Sequence, residues 1–252
     1  DNETYDAVHA WNIPSAFVMK NIKSNKKILS VHGIYSQQVE LLHSQTSGKL
    51  AKIGEEKAFS YSTKLTTDSK IVQQYYKEKF QVDFIHLPAP LDTKKFKDIG
   101  KVEKNHNQIV YVGRDSFEKG IDILKNIESK LNGKVVYCTN YSWSKTMKIL
   151  KSSKLLIVPS RMESLPQVIK EAFYLKIPVI ATNVGGIPEI IQNKKTGFLV
   201  PSENEQEMIN TINNLIENDS VIETVTKNAF DFINKFYSWD ELLPKYIELY
   251  QK

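Results

Sequence analysis

The stretch from Leu155 to Glu189 constrains the fold more than any other part of the chain. A short apolar run ends at Pro159, a helical segment follows, and a second apolar run leads into Gly185 and Gly186. This order of strand, loop, helix, strand and loop predicts one βαβ unit. Ligands of such sheets bind beyond the carboxyl ends of the strands. Both loops of the stretch are expected at that edge.

Strands and helices alternate along most of the chain, with apolar strand patterns at 27–31, 64–67, 109–112 and 134–138. This alternation predicts an α/β fold with parallel sheets covered by helices on both faces. A polar, lysine-rich segment at 93–107 interrupts the pattern and is predicted to be a linker. We therefore expect two Rossmann-like halves facing a cleft, at 1–92 and 108–235.

Composition excludes several classes of protein. The chain has 252 residues and one cysteine, Cys138, so an intrachain disulfide is impossible and a cytoplasmic location is expected. Its apolar runs fall well short of the roughly 18 residues that a membrane span needs. The net charge of +5 comes from scattered lysines. This excess suits an anionic substrate or the surface of an anionic membrane, but it is too dispersed to indicate nucleic acid.

Two loops at strand ends carry residues suited to phosphate. Ser164 and Gln167 have the spacing of a capping box, and Pro166 between them suits the first turn of a helix. The amino end of that helix would attract an anion, although an ordinary capped helix without a ligand has the same pattern. Two cations lie between Gly113 and Gly120: Arg114 could fork across two phosphate oxygens, and Lys119 could add a mobile charge. The alternative is a glycine turn with two solvated cations.

Three further side chains could contact a sugar or ribose. Glu163 precedes the predicted helix and could accept hydrogen bonds from sugar hydroxyls, while Glu171, two turns along, could bind a ribose diol. Both could equally be exposed helix acids. His32 closes a predicted strand and could face a reacting sugar, or it could be structural. The scattered histidines show no metal-binding spacing.

Taken in order, these motifs resemble the retaining glycosyltransferases of family 4, which have the GT-B fold. The resemblance rests on Gly113-Arg114…Lys119-Gly120, PSRMES, the Glu163-x7-Glu171 pair, IPVIATNVGGIPEII and TGFLV, with SVHG and TTDS in the first half. It implies that a final helix at 236–252 packs back toward the N-terminal domain. It also implies an enzyme that transfers a hexose-type sugar from a nucleotide-diphosphate sugar, retains its configuration and needs no metal.

The resemblance also implies a role for each candidate residue. Arg114 and Lys119 would bind the diphosphate and stabilise it as it leaves, Glu163 would bind donor-sugar hydroxyls, Glu171 would bind the ribose, and His32 would lie near the transferred sugar. Backbone N–H groups around Leu165, Gln167 and Val168 would hold the phosphate and sugar, and Gly185 and Gly186 would permit close approach of the backbone to the donor. The acceptor would be a polysaccharide or a lipid-linked glycan, reached by peripheral contact at the cytosolic face of a membrane.

The chain departs from the family pattern in two places. It opens at about the fourth strand of the family's first domain, so the N-terminal half is expected to be incomplete; the missing units could also belong to another chain. Only one strand, at 135–138, separates the helices at 120–131 and 143–152, which weakens any prediction of the nucleobase. The alternative function is therefore a catalytically incomplete module that holds a nucleotide sugar or docks a partner. An epimerase or phosphorylase on the same plan has no support in the residues.

Overall fold

The structure, a computed structural model, describes residues 3–251. The chain divides into two compact units: the first comprises the chain up to Ala89 and from Leu242 onward, and the second comprises Pro90–Glu241. Each unit has a parallel sheet with helices, so the predicted α/β fold is confirmed. Incompleteness of the first half stays a prediction.

The first unit has its strands in chain order. The sheet runs β1-β2-β3-β4, and each pair is parallel. Its elements are β1 (Val8–Ala10), α1 (Ile13–Met19), β2 (Lys27–Val31), α2 (Tyr35–Leu42), α3 (Gln45–Ser60), β3 (Lys64–Thr67), α4 (Lys70–Phe80), β4 (Ile85–His86) and, from Leu242, α11 (Trp239–Gln251). Consecutive residues Ile28 and Leu29 are both fully buried. Both faces of β2 are therefore covered, as its unbroken apolar pattern indicates.

The second unit has a sheet whose strand order reverses once. The order is β6-β5-β7-β8-β9, again parallel throughout. Its elements are β5 (Asn105–Val112), α5 (Ile121–Ile127), β6 (Lys134–Cys138), α6 (Trp143–Ser152), β7 (Ser153–Val158), α7 (Gln167–Tyr174), β8 (Val179–Thr182), α8 (Ile187–Ile190), β9 (Phe198–Val200), α9 (Glu205–Glu217) and α10 (Asp219–Tyr237). Short 3-10 helices lie at Thr93–Ile99, Phe117–Lys119 and Glu128–Lys130. Every residue of the central strand β7 is buried.

The predicted linker at 93–107 lies within the second unit rather than between the units. Its 3-10 helix buries Phe96 and Ile99 in the same core as α7, and β5 already begins at Asn105. The lysines of the segment hid these two apolar residues, whose burial outweighs the polar composition around them. The boundary therefore falls at Ala89 and Pro90.

Helix α11 joins the first unit through its apolar face. Leu249 is buried with Ile28 and Leu87, and Tyr246 packs against this cluster. The hydroxyl of Tyr246 also donates a hydrogen bond to the Pro88 carbonyl oxygen, at 3.4 Å. Among residues 3–251, none of the helices is long and apolar enough to cross a bilayer.

Candidate functional site

The candidate site lies at the point where the strand order of the second sheet reverses. Strand β5 is flanked by β6 on one side and by β7 on the other, so the chain leaves β5 and β7 in opposite directions. Such a reversal opens a crevice at the carboxyl ends of the two central strands, where ligands of this sheet type bind. The loops that follow these strands, 113–120 and 159–166, carry most of the residues singled out from the sequence.

Two glycines allow these loops to pack backbone against backbone. A Cβ atom on Gly120 would lie 2.0 Å from the carbonyl oxygen of Pro159, and one on Gly185 would lie 1.8 Å from the carbonyl oxygen of Glu163. Both glycines have positive φ angles, of 65° and 52°. Only glycine fits at either position. The loops after β5, β7 and β8 therefore form one tightly packed cluster, and Gly186 adds a backbone hydrogen bond to Glu163.

Lys119 and Glu163 form an ion pair at the centre of the cluster. The Lys119 Nζ atom lies 2.7 Å from Oε1 of Glu163, and the Ser160 hydroxyl donates to the same oxygen at 2.8 Å. The Glu163 side chain is only 9% exposed, while that of Lys119 is 24% exposed. The pair holds the carboxylate in one orientation and leaves the ammonium group partly open to solvent. A lysine in this position can attract an anion.

Arg114 is in the same loop as Lys119 but is held differently. Its Nη2 atom donates to Oε1 of Glu118 at 2.8 Å, and the Ser116 hydroxyl donates to the same oxygen. The Arg114 side chain is 68% exposed, whereas Glu118 is buried and its Oε2 atom has no hydrogen-bond partner. A guanidinium this exposed can turn toward an incoming anion without unfolding the loop.

Sequence reasoning missed Arg161, which ties the loops together. Its guanidinium donates to both carboxylate oxygens of Asp122, at 2.7 and 2.8 Å, and to Glu203 at 2.5 Å. It also donates to the carbonyl oxygen of Phe117 and lies 4.0 Å from the centre of that ring. Its backbone N–H donates to the carbonyl oxygen of Glu118. No local spacing signals this cluster, because its partners lie in the 3-10 helix at Phe117–Lys119, in α5 and in the segment before α9.

The predicted capping box before α7 is wrong. The helix begins at Gln167, and its N-cap position is Pro166, which has extended backbone and makes no side-chain cap. A cap at Ser164 would require helical backbone at Leu165, and the residue before a proline is disfavoured in that conformation. Leu165 is instead buried in the core. The first N–H groups of α7, including those of Gln167 and Val168, have no acceptor within the helix.

Glu171 lies on α7 and is bound by a residue that the sequence did not indicate. The indole N–H of Trp143, at the start of α6, donates to Oε1 of Glu171 at 2.8 Å. Burial raises the pKa of Glu171, and the Trp143 hydrogen bond, with the charges of Lys170 and Lys95, partly opposes that rise. The carboxyl group is therefore oriented and partly withdrawn from water rather than an exposed helix acid.

His32 belongs to the first unit. Its Nδ1 atom lies 3.2 Å from Oδ2 of Asp68, and its ring stacks on Trp11 with centroids 5.7 Å apart. Trp11 in turn stacks on His9, whose nitrogens contact Tyr250 and Ser30. Burial, together with the charge of His32, lowers the pKa of His9 to about 4. The carboxyl ends of β1 and β2 thus present stacked aromatic rings and imidazoles.

The chain is similar in sequence to known glycosyltransferases. A family model described as glycosyl transferases group 1 matches residues 124–232. An uncharacterised glycosyltransferase of Methanocaldococcus jannaschii is 27% identical over 282 residues, covering 100% of this chain and 77% of that protein. The alpha-D-kanosaminyltransferase of Streptomyces kanamyceticus is 22% identical over 258 residues, covering 84% of this chain and 67% of that protein.

Solved structures show the same fold. Sucrose-phosphate synthase from Thermosynechococcus elongatus aligns with a TM-score of 0.81 over 98% of this chain and 73% of that chain, at 16% identity. HepE from Anabaena, in complex with UDP-glucose, aligns with a TM-score of 0.78 over 97% of this chain and 78% of that chain, also at 16% identity. These structures show that the chain has the GT-B fold, and the family model and the relatives show that it is similar to the glycosyltransferases of group 1.

Proposed function

We propose that this enzyme moves a sugar from a nucleotide-diphosphate sugar to a polysaccharide or lipid-linked acceptor, with retention of configuration and without a metal. One observation carries the proposal: Lys119 and Glu163 pair at 2.7 Å where the strand order reverses, next to the amino end of α7. A cation, a fixed carboxylate and a helix amino end suit the two halves of a diphosphate-sugar.

The cations and the helix would act on the diphosphate. As the bond between the sugar and the diphosphate breaks, negative charge grows on the departing oxygen. Lys119 and Arg114 would stabilise that charge, and the N–H groups of Leu165, Gln167 and Val168 would add fixed dipoles. This electrostatic role needs no metal in the proposed mechanism. Arg114 would exchange Glu118 for phosphate when the donor binds.

The two acids would bind hydroxyl groups rather than attack carbon. Glu163 is held by Lys119 and Ser160 through one oxygen. A carboxylate fixed in this way can accept hydrogen bonds from donor-sugar hydroxyls. Glu171, oriented by Trp143, would accept from the ribose diol. Gly185 and Gly186 would let the backbone approach the donor closely.

His32 would lie near the transferred sugar. Its contacts with Asp68 and Trp11 fix the imidazole plane, which suits a directed hydrogen bond to a hydroxyl group.

The proposed acceptor is supported by the activities of similar proteins. One of them, CapM of Staphylococcus aureus, is a capsular polysaccharide biosynthesis glycosyltransferase. A cytoplasmic enzyme that reaches a lipid-linked acceptor would also contact a membrane at its surface.

Nucleotide release from a panel of nucleotide sugars tests the proposal. The Lys119→Ala and Glu163→Ala variants are expected to lose most turnover, while Lys77→Ala, which removes an exposed lysine from an ion pair with Asp83, serves as the matched control. Equal turnover in all three variants would overturn the assigned roles. Donor binding by calorimetry without any sugar transfer would instead indicate a binding module.

Two further measurements address the mechanism. The product's anomeric proton, followed by NMR from the start of the reaction, is expected to keep the donor's configuration. Turnover is expected to be unchanged by EDTA. Inverted product or loss of activity in EDTA that returns with a divalent cation would contradict the retaining or the metal-independent part of the proposal, respectively.

A further inference from the structure

A groove of about 460 Å³ lies between α9 and β9 in the second unit. This volume falls within the range of about 300–1,000 Å³ that is typical of small-molecule sites. The described residues that line the groove are all different from those assigned to the donor, so it is a separate candidate site. We call it the α9–β9 groove, after the residues Asn210 and Asn214 of α9 and Phe198 and Leu199 of β9 that line it.

One side of α9 supplies the polar part of the lining. Four residues spaced three or four positions apart, and therefore on one side of the helix, line the groove: Glu207, Asn210, Thr211 and Asn214. Asparagine and threonine are weak helix formers, so helix stability does not account for them here. Asn213 has a structural role, since it bonds the segment before β6. The side chain of Asn214 makes no hydrogen bond to another described residue and is exposed to the groove.

The rest of the lining is partly apolar. Phe198 and Leu199 are half-buried, and Val221, near the start of α10, is 37% exposed. The backbone N–H of Leu199 donates to Oδ1 of Asn193 at 3.0 Å. An added peptide strand would need that N–H group, so the edge of β9 is closed to a partner strand at this point. The groove therefore suits a ligand that does not pair with the backbone.

Charge distinguishes the α9–β9 groove from the donor site. Lys194 and Glu207 are the charged residues of the described lining, and their charges balance. A phosphate group or an acidic polymer finds no excess of cations there, in contrast to the loop that carries Arg114 and Lys119. Side-chain amides and hydroxyl groups can each donate and accept hydrogen bonds. A neutral sugar chain matches this lining, because its hydroxyl groups donate and accept and its C–H faces are apolar.

We propose that the α9–β9 groove binds a neutral oligosaccharide. The amides of Asn210 and Asn214 would exchange hydrogen bonds with sugar hydroxyl groups, and Phe198 would contact the apolar face of a sugar ring. The proposal rests on the proposed function in taking this oligosaccharide to be a segment of the acceptor. A second contact of this kind strengthens binding of a polymer that also reaches the reacting centre.

NMR titration of the full chain with maltohexaose, cellohexaose and mannohexaose tests the groove. At least one of these neutral hexasaccharides is expected to shift the side-chain amide signals of Asn210 and Asn214. The double variant Asn210→Ala/Asn214→Ala is expected to bind that hexasaccharide at least about tenfold more weakly. Phe198→Leu keeps an apolar side chain but removes the ring, and it is expected to bind about three- to tenfold more weakly. Asn107→Ala, at an exposed asparagine of β5 outside the groove, is the matched control and is expected to bind like the wild type.

Several results would overturn the proposal: no shift with any of the three hexasaccharides, equal binding by the wild type and the double variant, or binding of acidic hexagalacturonate as tight as that of the neutral chains. So would sedimentation velocity showing a dimer of the wild type that the double variant separates into monomers. Nucleotide release from the donor, measured without hexasaccharide, keeps the two proposals apart. Normal release without hexasaccharide binding removes the groove alone, and hexasaccharide binding without release removes the transferase function alone.

Discussion

The two sheets of this protein differ in how their strands are ordered, and the candidate residues differ with them. In the first unit, β1 to β4 follow chain order, so the described strands contain no reversal. In the second unit the order reverses between β5 and β7. Charged side chains gather at that reversal, whereas the strand ends of the first unit present Trp11, His32 and His9.

On the proposed function, this difference predicts that the two units bind different parts of the donor. A crevice at a reversal brings two loops and a helix amino end together, so it can surround an anion with donors from several directions. Stacked rings and imidazoles offer apolar faces and single hydrogen bonds, which suit the neutral hydroxyls and flat faces of sugars. We therefore expect phosphate binding to depend on the second unit and sugar chemistry to depend partly on the first.

The largest expected effect separates these two roles. Lys119→Ala should weaken binding of the nucleoside diphosphate product by about 10- to 100-fold, because a charged hydrogen bond to the diphosphate is lost. His32→Ala should leave that affinity within about twofold and lower kcat instead. Calorimetry and steady-state kinetics measure the two effects. Equal weakening of product binding by both substitutions would contradict the division.

Two arginines of the second unit sharpen the comparison further. Arg161→Ala should lower the free energy of unfolding by about 1–3 kcal/mol, because its hydrogen bonds to Asp122, Glu203 and Phe117 disappear. Arg114→Ala should lower it by no more than about 1 kcal/mol, because Arg114 is largely exposed and Ser116 still donates to the buried Glu118 carboxylate, but it should weaken donor binding. Urea denaturation of both variants gives the comparison. A large loss of stability in Arg114→Ala would show that its pairing with Glu118 is structural.

The sequence predicted the α/β fold, the strand pattern and the loops of the site because these depend on local order along the chain. The roles of Lys119 and Glu163 were predicted separately, yet their direct pairing was not, since they are 44 positions apart and only the sheet brings them together. The contacts of Arg161 were not predicted for the same reason. A single basic residue in a loop has no spacing that identifies its partners.

Proline geometry explains the error at α7. The pattern from Ser164 to Gln167 fits a capping box, but Pro166 restricts the residue before it and moves the start of the helix to Gln167. The linker error has a different cause, because lysine content concealed Phe96 and Ile99. In both places one local rule was overridden by a stronger constraint, backbone sterics in the first and burial in the second.

The stability of the first unit should respond to acid through His9. Its pKa is lowered to about 4 from an ordinary value of 6.5, so the unfolded chain binds a proton more readily than the folded one. The resulting stabilisation is present above pH 6.5 and is lost as the pH falls toward 4. His9 contacts Ser30, Trp11 and Tyr250. The charge of the nearby His32 opposes protonation of His9.

The His9→Gln variant should therefore lose about 1–2 kcal/mol less free energy of unfolding than the wild type between pH 6.5 and pH 4, allowing for solvent screening. Urea denaturation at several pH values measures this difference. His106→Gln, at an exposed position of the second unit, is the control and should follow the wild type. An equal loss of stability in acid for wild type and His9→Gln would show that the lowered pKa of His9 does not affect folding stability.

The smallest expected effect concerns the hydrogen bond between Trp143 and Glu171. Trp143→Phe keeps a ring against Phe96 but removes the N–H that donates to Glu171, which should raise the pKa of this buried carboxyl further. A misoriented or protonated carboxyl accepts ribose hydroxyls less well, so the KM for the donor should rise about 3- to 10-fold with little change in kcat. The matching 2′-deoxy donor isolates the cause. The wild type should bind the 2′-deoxy donor more weakly than the ribose donor, and Trp143→Phe should discriminate less between the two. Unchanged discrimination would mean that Glu171 does not bind the ribose and that the second unit recognises the donor through its diphosphate and sugar alone.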